Sequence, residues 1–314
     1  MAKLETQLNK SIGFGKLKTN LILLSMIVPG FILFFLFNYL PMFGIIIAFK
    51  EINYGLGILK SPWIGFKNFE YLFKTVDAYI ITRNTVLYNA AFIILGTFVS
   101  VAVAIALNEI KQKFLARFYQ SVMFFPYFLS WIAISYLAFS YLSVDLGFIN
   151  NVIFKNLGIE PVMWYSEPKY WPFILTLVNL WRYTGYNSVI YLAALMGISP
   201  TYYEAAQIDG ANKWQQIRHI TIPLLSPTIV ILVLLAIGRI FYADFFLFFN
   251  VPLNNGALFD TTNVIDTYVY RALIQMGDIG MAAAASLYQA VIGFCLVLVS
   301  NLIVRKIDKE KSLF

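Results

Sequence analysis

The chain has little charge. Asp, Glu, Lys and Arg make up only 12% of its 314 residues, against 60% hydrophobic residues, and the mean hydropathy is +0.73. A water-soluble domain carries roughly a quarter of its residues charged, so soluble enzymes and soluble binding modules are excluded before any motif is considered. The single cysteine, Cys295, excludes an internal disulfide, and the single histidine, His219, excludes a Cys/His zinc cage. No Gly-x-x-x-x-Gly-Lys-[Ser/Thr] phosphate loop occurs: at Gly15-Lys16 the first glycine position is held by Lys10, and Leu17 follows the lysine. A membrane-embedded transferase, the alternative from another class, needs an acid pair or an acid–imidazole couple near one membrane face. Neither Asp-x-Asp nor His-x4-Asp is present.

What is present is a series of long apolar runs. Intervals free of Asp, Glu, Lys and Arg extend from Thr19 to Phe49, Asn84 to Asn108, Phe118 to Val144 and Ile279 to Val304, each longer than the ~20 residues a helix needs to cross hydrocarbon. Trp171 to Ile198, holding Arg182, and Pro223 to Phe249, holding Arg239 and Asp244, add two more. The expectation is an all-α integral membrane protein with six transmembrane helices, at about 20–49, 84–108, 118–144, 171–198, 223–249 and 279–304. The first run is too long for a signal peptide. The runs are also too long and too continuously apolar for the alternating strands of a barrel.

Lysine and arginine set the orientation. With both ends on one side, that side holds thirteen of them, clustered in an N-terminal tail (residues 1–19), at Lys111 to Arg117, at Lys213 and Arg218, and in a C-terminal tail (305–314); the other side holds eight. Both termini are therefore expected in the cytoplasm. The net charge of +7 is a topology signal, and no aromatic–basic interleaving outside the spans points to nucleic acid.

The loop between spans four and five, residues 199–222, is expected to lie on the cytoplasmic face as two short helices. Ser199 and Pro200 open the first, Gly210 closes it with a left-handed residue, a second follows from Ala211 to about Ile220, and Pro223 opens the next span. Glu204, Ala205 and Ala206, then Asp209, Gly210 and Ala211, then Ile220 and Ile222-Pro223-Leu224 resemble the EAA loop of permease subunits in binding-protein-dependent ABC importers. Trp63 to Phe69, Asn84-Thr85 and Tyr191 to Leu195 resemble the sugar permeases among them. The segment Ile265-Asp266-Thr267-Tyr268-Val269-Tyr270-Arg271 is similar to the branch that imports complex oligosaccharides.

The resemblance implies a coupling helix seated on a separate ATPase, with Glu204 offering charge, Ala205 and Ala206 permitting close approach and Gly210 setting the bend. Thr201-x-x-Glu204 also fits a capping box. The implied partners are two copies of the ATPase subunit, a second permease, an extracellular solute-binding protein, an oligosaccharide and membrane lipid, in a bacterial plasma membrane. ATP and Mg belong to the ATPase, and no cofactor is expected on this chain. An ABC permease for amino acids or phosphate shares the loop but not the sugar-like outer motifs. A secondary transporter needs intramembrane acids for ion coupling and two similar halves; Asp244 is the sole acid inside an expected span, and no internal repeat is evident.

Intramembrane arginines point to function. In span four, Asn179, Arg182, Tyr183, Tyr186 and Asn187 are linked by spacings of three and four into one polar stripe. In span five, Arg239, Tyr242, Phe246 and Phe249 form another, and Asp244 lies about 140° from Arg239 on a regular helix. Aromatic faces with hydrogen-bonding groups suit a sugar path, with Asp244 available to pair with Arg182 or with the partner permease. Alternatively, the arginines clamp backbone carbonyls, and Phe241, Phe245 and Phe248 are packing or lipid-facing residues. Ala282 to Ala285 with Ser286 form a close-packing face. Cys295 is expected as a small packing residue, His219 as a surface or interface residue, and Asp77, Asp145 and Asp266 as solvated acids of the outer loops.

Overall fold

The computed structural model describes residue 21, residues 24–308 and residue 312; the expected tail over residues 1–19 lies outside them. Among the described residues the architecture is helical, with one isolated β-bridge between Lys50 and Trp63. Four helices are long and apolar enough to cross a membrane, or five if one sharply bent pair counts as a span.

α1 (Leu24–Phe49) widens into a π-helical turn at Phe35–Tyr39 and tightens into a 3-10 helix at Leu40–Phe49. Its second half packs on the last helix of the chain, whereas the apolar side chains from Leu24 to Phe37 are exposed. α2 (Val76–Glu109) is capped by Thr75, whose side chain accepts from the Ala78 N–H. It begins well before the charge-free interval, because Asp77 and Arg83 lie on its first turns. At 1.5 Å per residue it is about 50 Å long, more than the ~30 Å of hydrocarbon, so it projects beyond the apolar layer and can carry charge there.

The third apolar run is not one helix. α3 (Lys113–Phe128) and α4 (Trp131–Leu142) meet at 98°, which corrects the continuous span expected over 118–144. Pro126 removes a donor from the last turn of α3, Leu129 is extended, and Ser130 restarts the chain by accepting from the Ala133 N–H. Hydropathy stays high through the break.

α5 (Trp171–Met196) packs along α2 and crosses α3 at Gly185, where an added Cβ would collide with the Met123 carbonyl. It is long enough to span but carries too many polar residues to rank with the four most apolar helices. α6 (Pro200–Ile208) follows. α7 (Lys213–Ile237) is one continuous helix, so Ala211 to Ile220 is not a separate helix ending before a new span at Pro223. A π-helical turn at Ile217–Thr221, closed by Ile222 N–H to the Ile217 carbonyl, leads into Pro223 within the same helix. α7 ends at Ile237, well short of the expected Phe249. α8 (Phe245–Asn250) is a separate short helix, followed by α9 (Ile265–Gln275) and α10 (Ile279–Ile307).

The core lies where α2, α4, α5 and α8 meet, around Tyr88, Ile134, Trp171, Leu175, Leu247 and Phe248. A second cluster joins Ile81, Phe241, Ile265 and Ala285. A third, Ala104, Tyr191, Leu195 and Leu225, ties α2 and α5 to α7. Phe241 and Phe248 are thus packing residues, and Ala284 and Ala285 are fully buried on α10. Cys295, expected as a small packing residue, is exposed.

Candidate functional site

The site is built around the break after α7. In a helix, residues 238–244 would hold their own backbone; here short turn bonds, such as Tyr242 N–H to the Arg239 carbonyl at 2.8 Å, hold part of it, and side chains from three other helices complete the pairing. Asn89 on α2 donates to the carbonyls of Ile240 (2.8 Å) and Tyr242 (3.1 Å). Gln289 on α10 donates to the Phe241 carbonyl at 2.6 Å, and the Asp266 carboxylate on α9 accepts from the Ala243 N–H at 2.8 Å. Asp244 caps α8, accepting from Phe246 and Leu247 N–H. Irregular backbone at membrane depth is tolerated only when its polar groups are paired in this way. Asp266, expected as a solvated outer acid, is therefore a structural partner of the break.

Glycine makes the break possible. Gly238 ends α7 against α10: a Cβ on it would strike Val297, and a Cβ on Gly293 would sit 2.6 Å from the Gly238 carbonyl. Gly in both helices lets the two backbones meet where the first one turns.

Beside the break lies a cavity of ≈ 340 Å³, walled by Asn89, Phe92, Gly96 and Thr97 of α2, Asn179, Tyr183, Asn187 and Tyr191 of α5, Leu232 and Ala236 of α7, and Arg239 and Tyr242 of the break. Asn89 and Thr97 were not singled out from the sequence. Their signal was a polar residue inside an otherwise apolar interval, which hydropathy averages away.

The polar stripe of α5 splits into two. Asn179, Tyr183 and Asn187 face the cavity. Arg182 and Tyr186, about 100° round the helix from Tyr183 and Asn187 respectively, turn toward α3. The Arg182 guanidinium donates to the Leu129 carbonyl at the α3–α4 bend and lies 4.3 Å from the Trp131 ring and 5.8 Å from that of Tyr127. Tyr186 stacks on Tyr127 with centroids 4.3 Å apart. The geometry of Arg182 is that of a clamp on the bend. Asp244, offered from sequence as its counter-ion, instead accepts from the Tyr183 hydroxyl at 2.7 Å.

The expected span-five stripe also divides. Arg239 and Tyr242 line the cavity, but Phe246 lies on α8, exposed and outside it. A regular spacing of three and seven has no meaning across a break.

The loop between α5 and α7 closes α6 with Gly210 at φ +79°. Ala211 N–H donates to the Ala206 carbonyl at 2.8 Å and Gly210 N–H to the Gln207 carbonyl at 3.1 Å; this pair of bonds satisfies the helix end and fixes the turn. Asn212 and Gln215 then form a reciprocal cap that starts α7. The Thr201-x-x-Glu204 box does not form: Ser199 and Thr201 bond each other, no side chain caps α6, and Glu204 is exposed. Asp209, Ala205 and Gln207 share that exposed surface, with Ala206 and Ala211 partly covered. Ile208 is 87% exposed and Trp214 70%. Lys213 pairs with Glu109 at the end of α2 (2.8 Å), and Tyr203 meets Thr221 at 3.1 Å, tying α6 to α7. His219 is an exposed residue bonded to the Gln215 carbonyl.

The model of binding-protein-dependent transport system inner membrane components matches residues 93–309. The chain belongs to that family. The polygalacturonan/rhamnogalacturonan transport system permease protein YteP of Bacillus subtilis is 34% identical over 285 residues, covering 91% of this chain and 88% of that protein. Protein LplB of the same organism is 31% identical over 285 residues, covering 91% and 89%. Among solved structures, a bacterial ABC transporter involved in the import of the acidic polysaccharide alginate superposes with a TM-score of 0.85 at 31% identity, over 94% of this chain and 99% of that one. The alginate transporter in complex with its pentasaccharide-bound periplasmic protein gives 0.84. The permease is a multi-pass protein of the bacterial plasma membrane.

Proposed function

We propose that this permease passes an oligosaccharide from an extracellular binding protein into the cytoplasm, driven by ATP hydrolysis on separate ATPase subunits. It has six spans: α1, α2, the bent pair α3–α4, α5, α7 with its break, and α10. Both termini and α6 face the cytoplasm. A second permease completes the pathway, two ATPase subunits bind beneath, and the solute-binding protein docks on the outer side.

The observation that carries this is the continuity of α7. It starts at the Gly210 turn and runs unbroken for about 37 Å to the break that presents Arg239 and Tyr242 to the cavity. α6 is tied to its base, so a push on α6 reaches the cavity along one helix. Glu204, Ala205, Ala206, Asp209, Gly210 and Ala211 form the ATPase contact; Asn179, Tyr183, Asn187, Arg239 and Tyr242 line the cargo path. Arg182, Tyr186, Asp244 and Phe246 support the path without lining it. The relatives' polysaccharide cargoes support an oligosaccharide over an amino acid or phosphate.

Gly210→Val tests the coupling. A β-branched residue at positive φ costs on the order of 1–2 kcal/mol and shifts the α6–α7 angle. Uptake and binding-protein-stimulated ATP hydrolysis should fall at least tenfold while the subunit remains in the membrane, and Glu204→Lys should behave alike. Wild-type uptake in both variants would end the coupling assignment.

A further inference from the structure

Resting on the oligosaccharide assignment, the question is which sugars the cavity selects. Among the described residues, Arg239 is the only charged one in the cavity wall. Among the described residues no hydrogen bond or ion pair engages its guanidinium, although two carboxylates, Asp244 and Asp266, bond to backbone at the same break. Both are committed: Asp244 to the Tyr183 hydroxyl and the α8 cap, Asp266 to the Ala243 N–H and Gln289. The break thus presents one cation to the cavity and uses both of its acids on backbone and wall. An unpaired guanidinium at membrane depth is unfavourable, and the planar, five-donor fork suits a carboxylate held by two bonds.

The other polar groups of the wall are uncharged. Asn179 and Asn187, each about one turn from Tyr183 and so about two turns apart, and the phenol of Tyr242 make no side-chain hydrogen bond among the described residues, leaving amide and hydroxyl groups turned to the cavity. Such groups match sugar hydroxyls, and the Tyr242 ring offers a face for a pyranose. The ≈ 340 Å³ volume falls within the ~300–1,000 Å³ of ligand pockets. From the single free cation and the neutral donors around it, we infer that the cavity selects carboxylated, uronate-type oligosaccharides, with Arg239 binding the carboxylate and Asn179, Asn187 and Tyr242 the ring hydroxyls.

The test uses the purified, assembled importer without its binding protein, so that the binding protein's own selectivity does not enter. Trigalacturonate and its fully methyl-esterified form, equal in length and stereochemistry but differing in charge, are titrated against the wild-type complex and against Arg239→Gln and Arg239→Lys. A charge-assisted bidentate pair predicts that trigalacturonate binds at least about tenfold more tightly than the ester. Arg239→Gln should abolish that difference by weakening trigalacturonate at least about tenfold more than the ester, and Arg239→Lys should restore part of it. Equal binding of the two probes to wild type overturns the inference and leaves the oligosaccharide assignment standing. Binding of neither probe to a complex that still hydrolyses ATP removes both. An Arg239→Gln complex that falls apart, or that keeps the preference, assigns the arginine to the subunit interface and also overturns the inference.

Discussion

Replacing Arg182 by Met separates a clamp from a cargo ligand. Arg182 joins two segments of the chain at the 98° bend between α3 and α4: its guanidinium donates to the Leu129 carbonyl and lies over the Trp131 ring at 4.3 Å. A hydrogen bond from a charged donor contributes about 1.5–3 kcal/mol, and a partly desolvated cation–π contact about 1–2. Against this, the buried Nε of Arg182 has no partner, so its removal returns about 1 kcal/mol. The net loss is about 2 kcal/mol, which for a chain of this size lowers the melting temperature by about 3 °C. Arg182→Lys keeps charge but loses the planar stacking surface and should lose about half as much. A double-mutant cycle with Trp131→Leu should give a coupling of about 1 kcal/mol. The assay is thermal loss of the monodisperse importer complex, run beside oligosaccharide binding. An Arg182→Met complex that melts as wild type but no longer binds oligosaccharide would refute the clamp and place Arg182 in the path.

Asn89→Ala strips a donor from the Ile240 and Tyr242 carbonyls and should destabilise the complex by about 1–3 kcal/mol, with Arg239 and Tyr242 displaced and transport lost; a stable, active variant would show that the break does not need this support. Gly185→Val drives a branched side chain into the Met123 carbonyl at the α3–α5 crossing, and the subunit should fail to assemble or melt several degrees lower; normal assembly would mean the helices do not cross there. In a Cys295→Ala background, single cysteines at Lys60 and Lys155 should react with an impermeant thiol reagent on intact cells and one at Lys111 should not; the reverse pattern would invert the orientation.

Charge-free intervals locate the membrane helices well, because a charge in hydrocarbon is costly wherever the helix goes. They cannot locate breaks inside an apolar run. Nothing in the hydropathy of residues 118–144 changes at Leu129, and the charges of Arg239 and Asp244 after Gly238 do not say whether the helix continues or stops; both breaks depend on side chains distant in sequence: Arg182 for the first, Asn89, Asp266 and Gln289 for the second. The same gap explains why Arg182 and Arg239 look equivalent in sequence. One meets an exposed carbonyl end and a tryptophan, the other an open cavity, and only the packing of α5 against α2 and α3 decides which. The Gly210 turn was legible because its cause is local: a helix end, a residue free to adopt positive φ, and two backbone bonds within six residues. The capping box at Thr201 and Glu204 was legible and incorrect, since Ser199 and Thr201 satisfy each other instead.

The most direct test reconstitutes the permease with its second permease, the ATPase and the binding protein in proteoliposomes, with ATP inside and oligosaccharide outside. ATP-dependent accumulation of the oligosaccharide, absent when the ATPase or the binding protein is omitted and lost with Gly210→Val, is the predicted result. Accumulation that persists without the ATPase, or ATP hydrolysis by the two permeases alone, would contradict a passive pathway worked from below through α6 and α7.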